Sequence, residues 1–112
     1  MKFYSLNNQN IKVSFKNAVI AGIAPDKGLY FPEHITPLSI DYFEQIEQLS
    51  DHEIAFQAIH QFVSEDIPDE ALKQIIANTL DFDFPVVDIE ENVGTLELFH
   101  GPTMAFKDVG AR

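Results

Sequence analysis

Between Ser39 and Leu80 apolar residues recur at helical spacing three times in succession, and no other feature limits the fold of this chain as much. Ser39 stands as the N-cap of a helix to about Leu49 that turns Tyr42, Phe43, Ile46 and Leu49 inward. Ser50 and Glu53 have capping-box spacing, and the helix they open is expected to reach about Val63 with Ile54, Ala55, Ala58, Ile59 and Phe62 as its apolar stripe. A third helix has Pro68 in its first turn and Leu72, Ile75, Ile76 and Leu80 facing in. Each is too short to be stable unpacked, so the three are expected to form a small bundle.

Extended segments flank this middle. Lys2 to Leu6 reads as a short strand, followed by a turn over Asn7-Asn8-Gln9-Asn10. Ser14 caps a short helix from Phe15 to Ala21, and Gly22 suits the left-handed position that ends it. Pro25-Asp26-Lys27-Gly28 carries the Pro and Gly that a type I turn favours. Leu29-Tyr30-Phe31 is then extended and closed by Pro32. After Asp81-Phe82-Asp83-Phe84-Pro85 stops the last helix, Val86 to Ile89 and Val93 to Phe99 read as strands separated by Glu90-Glu91-Asn92. Thr103 is placed to cap a helix starting at Met104. The class expected is α+β: a small helical N-terminal domain with a few short strands over 1–92, then the first strand and helix of a second, truncated domain over 93–112. A helix begun after a strand packs back on a sheet, and no strands remain here to build one.

Charge narrows the function. The 112 residues carry a formal net charge of −11, against nucleic acid as a partner. The acidity lies in the middle: residues 38–92 hold fourteen acids against Lys73 alone, whereas residues 1–37 set four lysines against Asp26 and Glu33. A solvated outer helix face accounts for this, and an acidic docking surface is the alternative. With no Cys there is neither a disulfide framework nor a thiolate metal site, and the scattered His34, His52 and His60 suggest no metal site. The N-terminus lacks the apolar stretch and small-residue cleavage site of a signal peptide, and no run is long enough to span a membrane. A soluble cytoplasmic protein is expected.

Lys107 is the residue best suited to chemistry. In the first turn of a helix opened by Thr103 it sits near the positive end of the dipole, flanked by Met104, Ala105, Phe106 and Val109, which predict burial. Both effects disfavour the ammonium form, as a lysine attacking an aldehyde requires. Taken alone, the residues favour an ordinary surface lysine beside Asp108 over a reactive one. Gly101-Pro102-Thr103 leads into a helix N-terminus that can cradle an anion, or is a plain capped turn, and His100 beside it can act as acid, base or donor.

The stretch ELFHGPTMAFKDVGAR, Glu97 to Arg112, resembles the segment around the cofactor lysine of the longer bacterial and fungal threonine synthases. VSFKNAVIAGIAPDKGLYFP, Val13 to Pro32, is similar to their N-terminal signature, and the two occur in the right order and separation. The resemblance implies a catalytic domain of the fold type II pyridoxal-phosphate class, with Lys107 carrying the cofactor and Phe106 and Asp108 shaping the lysine's surroundings. It implies O-phospho-L-homoserine as substrate, displacing the lysine, whose freed amine then moves protons as phosphate leaves, water adds and threonine is released. A contact from His100, Gly101 or Thr103 to a substrate or cofactor phosphate is a further expectation. Lys27 departs from the family pattern, which has Gly there, so Gly28 is expected to be the flexible residue. The family's glycine-rich cofactor-phosphate loop follows the lysine segment and lies outside these 112 residues, so the piece alone is expected to be inactive. Leu96, Leu98, Phe99 and Phe106 are expected to form a sticky patch that promotes self-association. The competing expectation is a free-standing acidic helical module that binds a partner without catalysis.

Overall fold

The computed structural model describes residues 1–110, which form two compact units, Met1–Lys73 and a second beginning at Gln74. In the first unit, β1 (Phe3–Ser5) is the middle strand of a three-stranded antiparallel sheet, between β2 (Lys12–Val13) and β3 (Tyr30–Pro32). Phe3 faces Val13 on one side and Pro32 on the other. A proline is tolerated there because β3 is an edge strand and its missing N–H costs no central ladder bond. The sequence marks no strand at Lys12–Val13, since two residues carry no alternation to detect.

Three serines set the helix starts. Ser14 Oγ accepts from Asn17 N–H, 3.2 Å, to open α1 (Phe15–Ala21). Ser39 does the same for α2 (Ile40–Gln45) through Tyr42 N–H, 3.1 Å. α2 is only six residues long and tightens into a 3₁₀ turn over Ile46–Gln48. Ser50 and Glu53 form the complete capping box of α3 (Asp51–Val63), which ends where the sequence predicts. α4 (Asp69–Thr79) starts after Pro68, whose carbonyl accepts the first helical bond, so the proline precedes the first turn rather than lying in it.

The core of the first unit is Phe3, Ala18, Ala24, Val63 and Leu72, drawn from the sheet, α1, a loop, α3 and α4. A three-helix bundle is therefore not its organising principle, and α2 buries no residue at all. Phe43, Ala58, Ile59 and Ile75, expected to face in, are exposed. The helical period identifies their apolar stripe correctly but says nothing of what covers it.

Two turns differ from expectation in an instructive way. Gly22 does have positive φ, 69°, but with ψ −55°, and Ile23 N–H donates to the Ala21 carbonyl at 2.8 Å. That is a γ-turn rather than a left-handed cap. Farther on, the hydrogen-bonded turn is Ala24–Lys27, closed by Lys27 N–H to Ala24 O at 2.8 Å, with Pro25 second and Lys27, not Gly28, fourth. Lys27 takes φ 66°, so positive φ is required where the family pattern has Gly, and the lysine bears it. Gly28 is needed for space instead. It is buried, and a Cβ on it would land on the hydroxyl of fully buried Ser5. That hydroxyl donates to Asp26 Oδ1 at 2.7 Å, and Gly28 N–H donates to the same oxygen at 3.0 Å. These two bonds, the hydroxyl's first, hold the Asp26 carboxyl below the usual carboxylate range.

The second unit carries the rest of α4, then β4 (Val86–Glu90) and β5 (Val93–Leu96) as an antiparallel hairpin. Asn92 takes φ 63° at the tip, and Glu97 N–H to Pro85 O, 2.9 Å, extends the ladder past the strand ends. The boundary expected between 92 and 93 falls inside this hairpin, while the compact units divide at Lys73/Gln74. Every residue of both strands is exposed. Among the described residues, no helix is long and apolar enough to cross a membrane.

Candidate functional site

Beyond β5 the chain enters a run of turns from Gly101 to Phe106 that leads into α5 (Lys107–Gly110). The helix expected from Met104 does not begin there. Met104 has φ 52° and closes a turn with its N–H to the Gly101 carbonyl at 3.0 Å, a conformation no right-handed helix accommodates. The cap differs as well. Thr103 does not receive a helical N–H on its hydroxyl. It donates both its N–H, 2.9 Å, and its hydroxyl, 2.8 Å, to Oδ2 of Asp108.

Asp108 is the buried centre of this segment, 4% exposed. Gly101, also buried, lies directly against it: a Cβ there would come within 2.6 Å of the Asp108 Cβ and 2.7 Å of Oδ2. Only a glycine fits beside the carboxylate. The sequence offers a signal for this, an acidic residue in the first turn of a helix, which can reach back to a preceding N–H as the Glu of a capping box does. In the sequence, only the family resemblance singles out Asp108.

Lys107 is the first residue of α5 and is exposed, as are Phe106 and Met104. The burial inferred from its apolar neighbours is absent, because Met104 and Phe106 themselves point away from any core. No ion pair to Lys107 occurs among the described residues. Its amine is thus accessible, as a group that condenses with an aldehyde must be. His100 lies at the entrance to the turn, its ring stacked on Phe99 with centroids 4.7 Å apart and its Nε2 2.6 Å from Glu97 Oε2. The six residues expected to form the site therefore occur within one short segment, with two of the polar ones, Thr103 and Asp108, bonded to each other. The Thr103 N–H expected to greet a phosphate already serves a carboxylate. No group of three or more His, Asp or Glu side chains among the described residues could hold a metal ion.

Residues 2–80 match the family described as threonine synthase N terminus. Threonine synthase from Escherichia coli K12 is 38% identical over 112 residues, covering all of this chain and 26% of that protein. The chain thus spans about a quarter of the length of the relatives it matches. The crystal structure of the Escherichia coli threonine synthase superposes with a TM-score of 0.89 at 37% identity, over 96% of this chain and 25% of that one. A PLP-bound threonine synthase from Brucella melitensis gives 0.88 at 32% identity, over 97% and 25%.

Proposed function

We infer, because this chain belongs to the threonine synthase family and matches its N-terminal region, that it forms the N-terminal part of an enzyme converting O-phospho-L-homoserine and water to L-threonine and phosphate. Lys107 is the residue we assign to pyridoxal phosphate. The observation that carries the assignment is the exposed side chain of Lys107 at the head of α5, in a segment that the match to the Escherichia coli enzyme includes. The residues present fit the cofactor as a covalent anchor: a primary amine open to solvent, next to a braced turn. They do not supply its phosphate donors, since the Thr103 N–H and hydroxyl are given to Asp108.

When bound, pyridoxal phosphate supplies the electron sink for chemistry at the substrate carbons. The chain's own contributions are simpler. Lys107 Nζ holds the cofactor and, once free, moves protons on the substrate as a general base. Phe106 and Asp108 flank it, the first exposed and the second buried. Of the residues before it, His100 has the accessible side chain that can reach a substrate phosphate, while Gly101 and Thr103 shape the turn. Residues 93–112 are the start of the catalytic domain in this reading, and residues 1–92, of which 2–80 match the family, are its N-terminal domain. The competing acidic module gains no support, because each relative cited is a threonine synthase. A cytoplasmic location fits an enzyme of this kind.

Two measurements test the proposal. Reduction of the cofactor-loaded full-length protein with borohydride, followed by peptide mass mapping, is expected to place the cofactor on Lys107. Label on a different lysine refutes the assignment. The 112-residue chain alone is expected to form no threonine, and detectable turnover by it would show that the remaining three quarters are dispensable.

A further inference from the structure

Lys107 opens α5 directly after the run of turns over 101–106, so its direction depends on how that run is held to the head of the helix. The neighbouring side chain is the buried carboxylate of Asp108, whose Oδ2 accepts two bonds from one residue, Thr103, across the Gly101–Met104 turn. Both are charge-assisted and shorter than 3.0 Å, the stronger kind of hydrogen bond. Gly101 has no side chain because the carboxylate occupies that space. Met104 is held at φ 52°, a conformation that persists only where its surroundings enforce it.

We propose that Asp108 is a positioning residue for Lys107: its carboxylate clasps the turn to the head of α5 and thereby aims the lysine amine. Successive helical residues point about 100° apart. Anchoring Asp108 inward through Thr103 turns Lys107 outward, which is how the two are found, one buried and the other exposed. The clasp rests on Lys107 being the cofactor lysine, and it assigns Thr103 to holding the site rather than to binding phosphate.

The experiment uses the full-length enzyme with turnover normalised to borohydride-trapped cofactor per chain, so that losses from misfolding drop out. Displacing a reacting group by about 1 Å costs on the order of 100-fold in rate. D108A is therefore expected to lower kcat per trapped site by about that factor, with KM within about threefold. D108N keeps an oxygen able to accept both bonds and is expected to restore at least about a tenth of the wild-type kcat. T103V, which removes one donor and keeps the other, serves if D108A fails to fold, and is expected to lower kcat per site by about 5- to 10-fold. Unchanged kcat per site in D108A, or in T103V if D108A is not recovered, overturns the clasp and leaves Lys107 as the cofactor lysine. So does a T103V effect confined to KM, which marks Thr103 as a substrate contact. Cofactor trapped on a lysine other than Lys107 overturns the functional assignment, and the clasp with it.

Discussion

Replacing Gly28 with alanine probes the tightest approach in the first unit. The added Cβ would land on the Ser5 hydroxyl and come within 3.1 Å of Asp26 Oδ1 and 3.0 Å of the Asn7 nitrogen. Ser5 is fully buried, so a hydroxyl driven off its acceptor finds no water to replace it. A buried O–H left without a partner costs about 1–3 kcal/mol, and overpacking a filled site adds about 1–3 kcal/mol. Because the hydroxyl's displacement relieves part of the overlap, a net loss of about 2–4 kcal/mol is expected. Ser5→Ala supplies the control. It removes the oxygen that collides and leaves room for the new methyl group. The double variant Ser5→Ala/Gly28→Ala is therefore expected to be more stable than the sum of the singles by about 1–3 kcal/mol. Urea unfolding at neutral pH, followed by far-UV circular dichroism, measures all four corners of the cycle. A Gly28→Ala loss below about 1 kcal/mol, or singles that add within about 0.5 kcal/mol, refutes the reasoning.

Lys27 offers the complementary case: it has positive φ, 66°, and Lys27→Gly relieves about 1 kcal/mol of left-handed strain, offset in part by glycine's greater freedom when unfolded. Its unfolding midpoint is expected to stay level or rise, while that of Lys27→Val falls; the reverse order would contradict the turn described. Acid is expected to destabilise the fold through three carboxylates held below their ordinary values of 3.8 for Asp26 and 4.5 for Glu33 and Glu53. The causes are the Ser5 hydroxyl and Gly28 N–H for Asp26, Lys12 for Glu33, and the Ser50 N–H and hydroxyl for Glu53. Lowered folded-state values mean a contribution present in full above the ordinary values and lost as pH falls through the lowered ones. The midpoint should therefore drop below about pH 4.5, less steeply in Asp26→Asn, and a flat acid limb would count against it. The chain alone is expected to self-associate through exposed Val86, Ile89, Leu96, Phe99 and Phe106. Sedimentation should show mass rising with concentration, reduced by Leu96→Lys with Phe106→Ser; a monomer throughout would remove the patch from consideration.

What the sequence discloses here is what is chemically local. Ser14, Ser39 and Ser50 announce their helices because a cap is a hydroxyl and an N–H three residues apart. α1 and α3 also end where the sequence places them, at Ala21 and Val63. What stays hidden depends on partners distant in sequence or on space. Lys12–Val13 becomes a strand only because Phe3 and Tyr4 lie opposite. Gly28 is glycine because of Ser5, far from it in the chain, and nothing near Gly28 says so. Phe43 and Ile59 belong to apolar stripes yet remain exposed, since periodicity orients a face without covering it. At Lys107, residue types and family resemblance single out one segment, but its local geometry is misjudged. Thr103 looks like a cap for Met104 until Asp108, later in the chain, takes both of its donors.

The three-stranded sheet has a consequence for how the chain assembles. All of its ladder partners lie between Phe3 and Pro32, so the loops that must close are short and their entropy cost is small. Contacts between residues near in sequence form quickly. During synthesis the N-terminal segment emerges first, at roughly 5–20 residues per second. β1 can therefore pair with β2 and β3 before α3 and α4 have emerged, and well before Lys107 leaves the ribosome. Lys107 is added to a polypeptide whose first sheet has already had time to close.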